Sequence, residues 1–182
     1  MRNGIVILGM MATTCFTFAS DLQVTASRKK ISSAESHKSF HKNNISDQTR
    51  INPGVKGSKQ EKVNYAVNVT NRSFSPMPEL EARYIIFVER QQLGAKKGTE
   101  QVEKITGKES VAGMPAKGST VFNTQAVKLR EQSLSGNWIY SNGGRLKATD
   151  SIIGIWIKFF DGDTEVEEYV NPTTLANRHK WE

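Results

Sequence analysis

The chain has 182 residues, 24% of them charged, and a formal net charge of +7. That length allows one domain, or one domain with appendages. Residues 20–62 carry +5 of the charge and residues 63–182 only +1, which argues against a basic domain built to grip nucleic acid, whose cations would stud one face of the fold.

The N-terminus reads as an export signal. Arg2 supplies the positive charge, residues 4–18 (GIVILGMMATTCFTF) the apolar run, and Thr17 and Ala19 the small residues before a cut expected after Ala19. The run is shorter than the roughly 20 apolar residues that cross a bilayer, and no later stretch is long and apolar enough to span one. Cys15 is the only cysteine and leaves with the signal. The mature chain is then expected without disulfide, Cys metal ligand or thiol nucleophile, located in the periplasm or outside the cell.

After the signal, Leu22, Val24 and Ala26 alternate with Gln23, Thr25 and Ser27 as a short edge strand. Residues 32–62 are rich in Ser, Asn, Lys and Gly and hold few large apolar residues. They read as a flexible basic linker or a long loop, so residues 20–62 form an appendage. Val63, Tyr65, Val67 and Val69 then alternate with polar neighbours as a half-buried strand. Leu80 to Glu89 is a second strand, whose outward Ile85 and Phe87 predict cover on both faces. Two weak strands lie around Gly107, and a longer one runs from Ser119 to Leu129 with a slip near Asn123. Residues 130–150 are either a short strand at Asn137 to Ser141 or an ordered loop.

Ser151 to Val170 predicts a hairpin with Asp161-Gly162 as a type I′ turn, since both residue types tolerate positive φ. In that register Phe159 faces Thr164, Ile157 faces Val166, Ile155 faces Glu168 and Tyr169 sits beside Gly154. Asn171-Pro172 ends the sheet, and residues 173–182 form a tail with one helical turn at Thr173 to Asn177.

About seven or eight short strands with turns every ten residues or so, and no sustained helical period, predict an all-β fold: a single antiparallel β-sandwich over residues 63–172. The order YAVNVTN, a loop, an amphipathic strand, then VAGMPAKGSTVFNTQAVKL resembles bacterial immunoglobulin-like domains of the cell-adhesion-related type. The likeness rests on Val67, Val69 and Asn71 and on Met114, Pro115, Gly118 and Ser119. It implies an adhesion, spacer or accessory module with no shared catalytic residues.

Candidate chemistry is sparse. Asp161, Asp163 and Glu165 alternate like part of a calcium loop but lack the remaining ligands, and the hairpin accounts for them. His37 and His41 are spaced i, i+4 in a segment with no helical pattern. Apart from these, His179 is the only histidine, so no Ser-His-Asp set is available. Glu103, Glu109, Asp150 and Glu167 supply carboxylates for glycoside hydrolysis without any signal that they converge. Trp138 and Tyr140, with Arg145 and Lys147, suit a platform for a sugar or peptide, extended by Trp156 if its face is open. Either tryptophan equally suits the sandwich core. Arg28, Lys29, Lys30, Lys38 and Lys42 suit an anionic polymer or surface.

The sequence therefore predicts an exported, non-enzymatic module without cofactor or metal that presents surface to a protein partner or an envelope glycan. A polyanion binder working through residues 28–62 is the second reading, and a hydrolase the third.

Overall fold

Alternation decides the architecture, because a strand with one apolar row must bury that row against another sheet. The structure, a computed structural model, describes residues 21–31, 55–134, 140 and 142–181. The expected signal peptide, most of the expected linker, Cys15, His37, His41 and Trp138 lie outside the described residues. Nine strands are present among them: β1 (Leu22–Ile31), β2 (Val55–Asn71), β3 (Leu80–Arg90), β4 (Gln101–Val111), β5 (Ser119–Asn123), β6 (Val127–Leu134), β7 (Lys147–Thr149), β8 (Ser151–Asp161) and β9 (Thr164–Asn171), followed by helix α1 (Thr174–Arg178).

They form two antiparallel sheets, one ordered β1-β2-β6-β7 with β5 also on β2, the other β4-β3-β8-β9. The sheets pack face to face as an all-β sandwich. The shared interior takes Tyr65, Val67 and Val69 from β2, Tyr84, Ile86 and Val88 from β3, and Ile155, Ile157 and Phe159 from β8. Each of these large side chains contributes about 2 kcal/mol of transfer free energy. Val63, Val67, Ile86 and Ile157, the rows on which the two-sheet reading depends, are all buried.

The structure corrects the sequence reading in five places. The two weak strands expected around Gly107 are one continuous strand, β4, of 11 residues. Residues 55–62, expected in a flexible linker, are strand: β2 has 17 residues, and the early part pairs with β6 from Val55↔Leu134 to Val63↔Val127. β6 supplies the backbone partners of this run, and β1 joins at Lys62, so its order rests on pairing with a distant strand. The segment from Ser119 to Leu129 is two strands and not one bulged strand. At Thr124 the chain breaks: its N–H donates to Tyr65 O (2.9 Å) and its Oγ1 accepts from Tyr65 N (3.0 Å), so one threonine fills the ladder gap between β5 and β6.

The hairpin turn is Gly162-Asp163 and not Asp161-Gly162, since Asp161 pairs with Thr164. Positive φ falls on Gly162 (58°) and not on Asp163, the pattern of a type II′ turn. A bulge at Val166, opposite the step from Phe159 to Phe160, shifts the register again, giving Phe159↔Glu167, Ile157↔Tyr169 and Ile155↔Asn171. Tyr169 therefore lies opposite Ile157 and not Gly154, and Ile155 is relieved of the acidic partner expected for it. Lys158 lies opposite Glu168, and its long side chain also reaches Glu165 at 2.9 Å.

The last correction concerns the C-terminal tail, whose described residues, 173–181, are docked on the second sheet. Leu175 is buried with Ile85, Phe87 and Trp156 on the outer face of the second sheet, and Trp181 packs against them. The two indoles meet edge to face, 5.6 Å apart, and His179 lies against Phe87 at 4.8 Å. Gly154 permits the approach, since a Cβ there would come 2.6 Å from Asn171 O and 3.0 Å from Leu175 Cδ2. Ile85 and Phe87, expected to be covered on both faces of their sheet, are covered by this segment. Leu175→Ala should therefore cost about 2–3 kcal/mol through the cavity it leaves. Urea unfolding followed by tryptophan fluorescence measures the loss, and an unchanged midpoint would show the segment to be undocked in solution.

At one end of the sandwich Asn71 is fully buried. Its Nδ2 donates to Ser75 O (2.8 Å) and Pro115 O (3.1 Å), and its Oδ1 accepts from Ser73 N (2.9 Å). Its backbone N–H donates to Gly118 O (2.9 Å). The two stretches that carried the family resemblance are thus tied to one another by a side chain with no unmet polar atom.

Candidate functional site

The expected aromatic platform is only partly open to description. Tyr140 is half-buried and lies over Gly94, where a Cβ would come 2.9 Å from its ring. Arg145 forms an ion pair with Glu100, and its backbone exchanges hydrogen bonds with Gly94 and Ala95 (both 3.0 Å). Both residues hold one loop against another. Lys147, on β7, pairs with Glu131 at 2.7 Å. Trp156 is 7% exposed and donates from Nε1 to Glu168 (2.7 Å), which places it in the packed layer beneath Trp181.

The basic residues fare differently. Lys38 and Lys42 lie outside the described residues, while Arg28, Lys29 and Lys30 lie in β1 and not on a linker. A strand sends successive side chains to opposite faces. Arg28 pairs with Tyr65 and Lys30 with Val63, so both join the inner face, where Lys30 meets Glu61 at 2.9 Å. Lys29 joins the outer face. Across β2, Lys62 lies directly opposite Lys128 of β6 and diagonally from Lys29, whose own partner is Asn64.

Lys29, Lys62 and Lys128 are all exposed and form no ion pair among the described residues. The row they share contains Gln23, Thr25, Ser27 and Ile31 of β1, Gln60, Asn64, Asn68 and Thr70 of β2, and Arg130 of β6, with no acidic side chain. Directly opposed like charges, with Cβ atoms about 5 Å apart, weaken a sheet rather than support it. Sequence reasoning missed Lys62 and Lys128 as partners of Lys29. The signal was present in the alternation Val127-Lys128-Leu129-Arg130, but only the pairing of β6 with the early part of β2 brings the rows together.

On the other side of the same sheet, β2 runs on past the core. Its inner face there changes from valine to Glu61 and Lys59, and beneath it opens a cleft of about 280 Å³ lined by Arg28, Lys59, Leu129, Thr149, Asp150 and Ser151 among others. Asp150 sits where the chain leaves the first sheet (β7) and enters the second (β8). Departure of β7 would strand the β6 backbone, and two side chains replace it. The Arg130 N–H donates to Asp150 Oδ2 (3.0 Å), and Arg90 donates to Lys128 O (2.8 Å) and to Asp150 Oδ2 (2.8 Å). Arg90 also binds Glu103 at 2.6 Å.

Of the four carboxylates considered for hydrolysis, then, Glu103 and Asp150 meet only through a guanidinium between them, while Glu109 pairs within β4 and Glu167 within β9, at opposite edges of the second sheet. Asp161, Asp163 and Glu165 stand at the hairpin turn, and no group of three or more possible metal ligands occurs among the described residues. No helix among them is long and apolar enough to cross a membrane.

The Asp150 side chain is 2% exposed. Burial pushes its pKa up, but the Arg130 N–H, followed by the hydrogen bond and charge of Arg90, outweighs that and holds it below the ordinary carboxylate value. A depressed carboxylate stabilises the fold above the unfolded-state value near 4 and ceases to do so as pH falls through the lower folded value. Asp150→Asn should accordingly cost about 2–3 kcal/mol at pH 7, since Glu103 still compensates Arg90. The difference from the parent should hold down to about pH 4 and shrink below it. Denaturation midpoints of both proteins across pH 3–7 give the result; a difference that ignores pH would reject an ionised Asp150.

A scan of known protein families gives no match, and neither does a comparison with curated proteins. Two solved structures are similar in outline. One is the X-ray structure of a Northeast Structural Genomics Consortium target (11% identity, TM-score 0.34, covering 82% of this chain and 94% of that one). The other is a crystal structure from Akkermansia muciniphila (10% identity, TM-score 0.33, covering 90% and 80%). Likeness at this level carries no functional argument.

Proposed function

We propose that this chain is an exported, non-enzymatic module of immunoglobulin-like kind that binds an anionic polymer or surface, such as an acidic envelope glycan, through the outer face of its first sheet. One observation carries the reading: the register gathers Lys29, Lys62 and Lys128 on one exposed face that holds no acid, with two of them directly opposed. A sheet face needing only solubility is served by interspersed charges of both signs, and the acids of these strands, Glu61 and Glu131, pair instead with Lys30 and Lys147. A polyanion laid across the three lysines relieves their repulsion and releases its own counterions.

The binding strand differs from the arm first expected. Ordered strands hold the cations at fixed spacing, so no backbone ordering entropy is spent on them when the ligand binds. The triple change Lys29→Gln, Lys62→Gln and Lys128→Gln should lower affinity for heparin at least tenfold in 50 mM salt. It should also flatten the slope of log affinity against log salt by about two units, each lost contact removing somewhat less than one. Titration at several salt concentrations measures both, and an unchanged slope would clear this face of any part in binding. Export is checked separately: N-terminal sequencing of the protein recovered from its native compartment should begin at Ser20.

A further inference from the structure

The cleft beneath the overhanging part of β2 presents a charge imbalance of its own. Three acids line it, Glu61, Glu131 and Asp150, and each is already engaged: Glu61 by Lys30 at 2.9 Å, Glu131 by Lys147 at 2.7 Å, Asp150 by Arg90 at 2.8 Å. Of the three cations that line the same space, Arg130 pairs with Asp150 at 3.4 Å, whereas Arg28 and Lys59, the latter directly opposite Glu131 in the β2–β6 register, form no ion pair or hydrogen bond with a described residue. Lys59 is close enough to help lower the Glu131 pKa, after Lys147, and Arg28 acts on the buried Tyr65 hydroxyl. Both therefore face the cleft and not the outer surface. The wall carries the polar residues Thr149 and Ser151 and the apolar Val63 and Leu129.

We propose that this cleft is a binding site for one oxyanion group, a phosphate or a carboxylate, carried on a ligand no larger than a single sugar. The size follows from the cleft, whose 280 Å³ stands at the lower end of small-molecule sites. The sign follows from the pairing: a cation entering here would have to displace Lys30, Lys147 or Arg90 from its acid, whereas an anion displaces nothing. A guanidinium offers a planar fork to either oxyanion, and the lysine adds a mobile point charge beside it. Apolar Leu129 and Val63 give the carrier of the anion a surface to rest on, and the Thr149 and Ser151 hydroxyls supply donors. The site does not depend on the outer lysines, which lie on the opposite face of the same sheet.

Titration of the full chain with methyl phosphate and, separately, with acetate, in 150 mM NaCl and followed by two-dimensional NMR, tests the proposal. Saturable one-to-one shifts are expected, centred on Arg28, Lys59 and Thr149. Arg28→Gln or Lys59→Gln should weaken binding at least tenfold, and Arg28→Lys, which keeps the charge and loses the fork, should give an intermediate loss. Lys62→Gln with Lys128→Gln should change it less than twofold, and heparin retention by Arg28→Gln should stay as in the parent, which separates failure here from failure of the outer-face reading. The tighter of the two anions names the group recognised. Shifts that do not saturate, or that respond equally to the outer-face and cleft variants, would overturn the site and leave diffuse charge in its place. Unchanged amide dispersion in each variant excludes misfolding as the cause of any loss.

Discussion

The structure depends on the contact between two valine- and isoleucine-rich rows, Val67 and Val69 of β2 against Ile86 of β3 and Ile157 of β8. These residues are completely buried, and no cysteine among the described residues staples the sheets. The apolar interior must therefore overcome the ordering entropy largely alone. The consequence for function lies at the edge of that contact. The two sheets are of unequal reach, since β2 spans 17 residues where β3 and β8 span 11. Wherever the first sheet outruns the second, its inner face has no apolar partner and must carry groups that water or a ligand can satisfy. The change from Val63 to Glu61 and Lys59 along one face of β2 follows from this, and so does the cleft.

The crossing of the chain from one sheet to the other imposes a second requirement at the same place. A strand that leaves its neighbour exposes an N–H and a C=O, and an orphaned buried backbone group costs as much as a lost hydrogen bond. Asp150 and Arg90 meet that need from side chains, the carboxylate taking the Arg130 N–H and the guanidinium the Lys128 carbonyl. Because each is charged, each also answers the burial of the other. The ion cluster thus reads as a joint in the fold, and Arg28 and Lys59 stand outside it.

What was legible in the sequence was what period-two alternation can carry. Val63 to Val69, Leu80 to Val88 and the run from Ser151 announced themselves as strands, and the doubly covered Ile85 and Phe87 correctly marked a central one. Two kinds of information were not written locally. Register depends on where bulges fall: the bulge at Val166 and the turn at Gly162-Asp163 moved every β9 partner of β8, and nothing in the residue types there distinguishes the two turn placements. Pairing by distant strands was equally hidden. Residues 55–62 look like linker because their composition is polar and basic, and their order comes from β6, more than sixty positions away. The C-terminal segment shows the same limit in reverse, since Leu175 and Trp181 are too few to signal a packed element until Gly154 and Trp156 are known to lie beneath them.

The candidate site inherits this division. Arg28, Lys29 and Lys30 were recognisable as basic, but a basic run on a flexible arm and the same run in a strand are different objects. In the strand, alternation separates Lys29 from its two neighbours and sends them to opposite sides of a sheet. One side gathers Lys62 and Lys128 into an open row matched to an extended anion, while the other confines Arg28 with Lys59 in a space matched to a single group. Secondary structure thus converts one undifferentiated cluster of charge into two surfaces of different geometry. All five cations are exposed, so the physical difference between the two sets is geometry: the outer lysines stand along an open face, whereas Arg28 and Lys59 line one cleft, where a concave wall focuses their field on a single position.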